Sequence, residues 1–167
     1  MKKILSLILA LAMTFALVAC GGGSGSSESD REIPDSAAGV LLQEFYNIVD
    51  AAPETSALEI AEKIITHETI PFMGGAMPVE AGLLSGFGEY EVTGFQEGAM
   101  FAPMMNAIAF VGYIFTLEEG ADVDAFMQGL TDNADPRWNI CVEAEETLVR
   151  AEGNKVFFVM SPLSFAE

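Results

Sequence analysis

The chain opens on an apolar block, residues 4–18, reading ILSLILALAMTFALV without one charge. A tract of glycine, serine and acidic residues follows (residues 21–32), and amphipathic patterning begins after it. Leu41, Phe45, Ile48 and Ala52 recur at spacings of four, three and four, which puts them on one face of a helix opened by Pro34-Asp35-Ser36 and closed by Pro53. Ser56 with Glu59 three residues on is a capping box for a second helix with Leu58, Ala61 and Ile65 in its buried stripe. Residues 70–88 mix apolar side chains with five glycines and two prolines, so neither regular element can run far. That segment is expected to be a covered loop with one short helical turn over residues 79–84.

The second half is more regular. Residues 91–101 have strand character, and Pro103-Met104-Met105-Asn106 forms a turn. Residues 108–117 (IAFVGYIFTL) are apolar nearly throughout, as in a central strand covered on both faces. Gly120 breaks that run, and Asp122 caps a helix carrying Val123, Phe126, Met127 and Leu130, ended by Asp135-Pro136. Residues 147–151 and 155–160 then alternate around Glu152-Gly153-Asn154 as a hairpin. The order predicts an α+β fold. Its antiparallel sheet of about four strands is packed on one side by two N-terminal helices and one inserted helix.

The apolar opening changes this from a fold into a placement. Lys2 and Lys3 precede a run of 15 residues, short of the roughly 20 that span a bilayer, so residues 1–19 read as an export signal. Leu17-Val18-Ala19-Cys20 resembles the lipobox of bacterial lipoproteins, which implies diacylglyceryl transfer to the Cys20 thiol and cleavage before it. Two acyl chains hold where one is marginal, at about 0.8 kcal/mol per buried CH₂. Residues 20–33 then serve as the lipidated cysteine and its flexible tether, and residues 34–167 as a single globular domain.

Loss of the signal removes two lysines and none of the 25 acids, leaving five cations and a side-chain charge near −20. Such a surface repels phosphate backbones and anionic headgroups. Nucleic acid is therefore excluded as a partner. The expected contacts are the bilayer, through lipidated Cys20, and an extracytoplasmic protein or small ligand. The lipobox, the Gly/Ser tether, the helix EGADVDAFMQGL and the hairpin segment EGNKVFFVMSP together resemble small cell-surface lipoproteins of Gram-positive, clostridial-type bacteria that carry a C-terminal domain of unknown function. The resemblance implies location and fold class, and supplies no activity.

Candidate chemistry is sparse. Met73 and Met77 are four apart, and Met100, Met104 and Met105 crowd the next turn; thioethers favour Cu(I), but Met more often fills irregular cores or contacts partners. The acidic runs (Glu118, Glu119, Asp122, Asp124; Asp132, Asp135; Glu143, Glu145, Glu146) lack the spacing of a calcium loop and read as a solvated face. His67, the one histidine, is expected to cover the last carbonyls of its helix. Cys141 has no disulfide partner once Cys20 is lipidated, and its apolar flank (Ile140, Val142) predicts a buried thiol beside the packing anchor Trp138. Glu89 and Glu91 share a strand face without a glycosidase context.

No catalytic, cofactor or metal residue is assigned; the one assigned site residue is Cys20, for lipid attachment. The expected function is a non-enzymatic, membrane-anchored binding module outside the cell, with the Met/Phe-rich residues 70–105 as its contact surface. The alternatives are Cu(I) handling through the methionines and a surface hydrolase without a recognisable motif.

Overall fold

The computed structural model describes residues 31–105 and 108–165. The expected signal peptide, Cys20 and the tether up to residue 30 lie outside the described residues. Ser36 accepts a hydrogen bond from the Gly39 N–H at 3.1 Å and caps helix α1, Ala37–Ala51, which buries Leu41, Leu42, Phe45, Ile48 and Val49. The Ser56–Glu59 capping box starts helix α2, Ala57–Ile65, and Ile60, Ala61, Ile64 and Ile65 form its buried side.

Strands β1 (Gly74–Val79), β4 (Phe95–Pro103), β5 (Val111–Leu117), β6 (Glu146–Glu152) and β7 (Lys155–Ser161) form one antiparallel sheet in the order β1-β4-β5-β7-β6. The two-residue strands β2 (Gly82–Leu83) and β3 (Glu91–Val92) pair separately, and helix α3 spans Val123–Asn133. The fold is α+β, as the element order predicts.

Side-chain alternation along the strands separates two cores. Helices α1 and α2 pack on the face presenting Ala99, Phe101, Ile114, Leu148, Phe157 and Val159. The opposite face presents Tyr113, Phe115, Val156, Phe158 and Met160, covered by Phe87, Val92 and Leu130. Burial on both faces explains why VGYIFTL and KVFFVMS are apolar nearly throughout.

Three details depart from expectation. Helix α3 lies on the face opposite α1 and α2, because Phe115 and its neighbours need a cover; Phe126 meets Phe115 edge-on at 5.3 Å. The main sheet has five strands, the fifth being β1 within the segment expected to be a loop. Pro78 is tolerated because β1 is an edge. Met104 N donates to Met73 O, so the odd-numbered residues of β1 bond inward and Gly74, Ala76 and Pro78 face outward; the N–H that proline lacks belongs to the open side. Third, Arg31 and Ile33, ahead of residue 34, already contact the domain, Arg31 through Asp50 and Ile33 against the helical core.

A methionine-lined sheet corner as the candidate functional site

The register of β1 on β4 brings the scattered methionines together. Met77 stands opposite Met100, Gly75 opposite Ala102, and the Met73–Met104 hydrogen bond (2.9 Å) extends the same register by one pair. Because side chains alternate, Met73, Met77, Met100 and Met104 all belong to the sheet face that carries Tyr113. Phe72 and Ala76, one step out of phase, pack toward the helices. Gly75 and Ala102 therefore form a low floor between two methionine pairs, and the space above Gly75 is open.

Exposure divides these methionines by role. Met73 is 78% exposed, Met104 71%, Met105 79% and Met77 52%. Met100 is partly buried, and its Sδ lies 3.4 Å from the Tyr113 hydroxyl oxygen, whose one proton goes to Ser85 O at 2.8 Å. Residues 82–92 are thereby held over the centre of the sheet, where Phe87 packs on Tyr113 and Phe158. Burial raises the Tyr113 phenol well above its ordinary range. The β1–β4 corner lies past the edge of this cover. Sequence reasoning grouped these residues but missed the pairing; the even spacings 73/77 and 100/104 carry the signal once both segments are strands.

The far edge of the sheet is electrostatically different. The Arg31 guanidinium donates to both Asp50 oxygens at 2.6 and 2.9 Å, lies 2.8 Å from Glu152, and stacks 4.3 Å from the centroid of the Tyr46 ring. This neighbourhood raises Arg31 and holds the Asp50 carboxyl below its ordinary value. A groove of about 570 Å³ runs beside β6 between Arg31 and Tyr46 on one side and Val123 and Met127 on the other. Arg150 in its wall donates to Val149 O at 2.8 Å, occupying an edge carbonyl of β6.

His67 lines a separate groove of about 460 Å³ with Asp35, Ser36 and Glu44. Its Nδ1 accepts from the Thr69 N–H at 3.2 Å, while Ser36 Oγ is committed to capping α1. The imidazole thus serves the turn after α2 as an acceptor, in place of the expected cover for carbonyls. Cys141 is exposed, contrary to the burial predicted from its flank; neighbouring Ile140 is 95% exposed because this loop runs over the surface. Trp138 packs against the second core.

The acids serve local structure. Asp122 Oδ1 accepts from Ala125 N at 2.9 Å to cap α3, Asp135 accepts from Arg137 N, and Glu145 from Leu163 N. Among the described residues no group of three or more His, Cys, Asp or Glu could hold a metal ion, and no helix is long and apolar enough to cross a membrane. No family model, curated protein or solved structure matches the chain.

Proposed function

We propose that this chain is a lipid-anchored extracytoplasmic lipoprotein, held through Cys20, whose domain binds a partner at the cell surface and performs no catalysis. The observation that carries the reading is the group of exposed methionines at the β1–β4 corner, Met73, Met77 and Met104, with Met105 next in the chain. Methionine side chains are unbranched and polarisable, and suit a surface that adapts to what it meets. Large exposed apolar groups on a monomer often mark interaction sites.

The geometry of attachment agrees with this role. Arg31, the described residue nearest the expected anchor, meets Glu152 of β6, whereas the methionines line β1 at the other end of the sheet order. Four inter-strand steps of about 4.8 Å separate the two edges by roughly 19 Å. An anchor on one edge leaves the opposite corner available to partners. The Leu17–Cys20 sequence and the resemblance to small clostridial-type lipoproteins support the anchor itself.

Mass spectrometry of the protein from its native membrane tests the anchor. A diacylated Cys20 at the N-terminus is expected, together with release into the medium or retention of residues 1–19 in Cys20→Ser; unmodified Cys20 on a cleaved chain refutes it. Photocrosslinkers at positions 77 and 104 in living cells test the surface. A discrete crosslinked species is expected there and none from a probe at Glu62 on α2, and absence of capture at both positions refutes a partner on this face.

A further inference from the structure

Strand β6 is the other margin of the sheet, and unlike β1 it contains no proline. Leu117 N donates to Asn154 O at 2.9 Å, which continues the β5–β7 register and turns the even-numbered residues of β7 toward β5. The odd-numbered residues of β7 therefore bond to β6, at Glu146, Leu148, Arg150 and Glu152. Thr147, Val149 and Ala151 are left with their N–H and C=O groups pointing off the sheet. The hydrogen bond from Arg150 Nη1 to Val149 O agrees with that phase. Glu145 N turns inward to Ser161 O, which ends the outward row at Thr147. The groove of about 570 Å³ runs along the row, with Val149 and Ala151 in its wall between Tyr46 and Val123.

Two charges on this margin lack a counterpart. Among the described residues neither Glu146 nor Arg150 is in an ion pair, and Glu146 Oε2 is buried without a hydrogen-bond donor. Both share the sheet face of Leu148, which lies midway between them. Four residues of extended chain hold them about 13 Å apart, too far to meet within one molecule.

We propose that β6 pairs antiparallel with β6 of a second copy of this chain, about a two-fold axis at Leu148, so that the two five-stranded sheets become one. In that register Thr147 and Val149 of the two copies exchange backbone hydrogen bonds across the axis. Arg150 of each copy stands opposite Glu146 of the other, so both unpaired charges are met twice over. Charge selects this register from its neighbours. Centring on Val149 sets Glu146 against Glu152, and centring on Arg150 sets that residue against its own copy. Directly facing opposite charges are favourable and like charges unfavourable. The axis is normal to the sheet, so α1, α2 and Arg31 of both copies share one side of it. The methionine corners then lie on the other side, at the two outer margins.

The test is sedimentation velocity of the detergent-solubilised full chain at about 0.15 M salt, where the acidic charges of two copies are screened beyond about 8 Å. A concentration-dependent monomer–dimer equilibrium is expected. Thr147→Pro removes an outward N–H, leaves the bonds to β7 intact and should abolish the dimer. Arg150→Glu and Glu146→Arg should each weaken it about tenfold, because facing charges become alike. Mixed one to one, those two variants should form a heterodimer of wild-type strength, and so should Glu146→Arg/Arg150→Glu with itself. Circular dichroism checks that each variant is folded; should Glu146→Arg unfold, Thr147→Pro and Arg150→Glu still read the interface. A wild-type chain that stays monomeric overturns the proposal. So does a dimer that survives Thr147→Pro, which would arise from a shared micelle or another face. A dimer weakened by both charge reversals but not restored by mixing them overturns the register, and with it the proposal.

Discussion

The ring of Phe101 lies directly over Gly112, its cross-strand partner between β4 and β5. A Cβ built on Gly112 would stand 2.1 Å from Phe101 Cζ. The ring is fully buried and meets Phe110 and Phe157 at 5.8 and 6.3 Å, so it has little freedom to retreat. Gly112→Ala should cost about 1–3 kcal/mol by overpacking, and Phe101→Ala about 3–5 kcal/mol by leaving a cavity. Denaturant midpoints at unchanged slope would check both.

The Arg31 clamp sets a pH dependence. Asp50 is held below its ordinary value in the fold, so folding there releases a proton when pH lies between the folded and unfolded values. Its stabilisation is complete above the unfolded value near about 4 and is lost as pH falls through the folded one. Arg31→Ala should therefore destabilise the protein at neutral pH, by no more than about 1 kcal/mol through this half-exposed pair. The gap from wild type should narrow steadily below about pH 4. A gap that stays constant down to acid unfolding would contradict the clamp.

Tyr113 fastens residues 82–92 to the sheet. Tyr113→Phe removes the donor to Ser85 O and should cost about 1–2 kcal/mol. Amide exchange should accelerate at Phe87 and Tyr90, whose N–H groups close turns in that segment, more than in β7. In the wild type, an ultraviolet titration should find the Tyr113 phenol silent until the protein unfolds at alkaline pH, because burial raises it.

Cys141 offers a chemical check on its loop. An exposed thiol should react with a maleimide in the native protein without denaturant, much faster than global unfolding. Reaction only at the rate of global unfolding would place it in the core.

The elements with punctuation at both ends were legible in the sequence. Ser36, Ser56 and Asp122 cap the three helices as their side chains predict, and the β6–β7 hairpin turns where Gly153 permits a φ of 59°. What local pattern does not carry is partnership. Strand β1 contains two glycines and a proline and becomes a strand only because β4 pairs with it. The face taken by α3 depends on which half of the sheet remains uncovered, and Ile140 and Val142 look like a core flank only until the loop's path is known. The candidate surface shows the same division. Its methionines were visible as a group, whereas their arrangement as two cross-strand pairs over Gly75 and Ala102 needed the register.

An open strand edge is an adhesive border that can propagate from copy to copy wherever two edges meet. On the free margin of β1 only Gly74 and Ala76 can donate outward, and Pro78 interrupts the row where a third donor would stand. Growth into a ribbon is thereby denied a continuous template. Pro78 lets the same margin carry exposed methionines on its face while denying a second copy an unbroken edge.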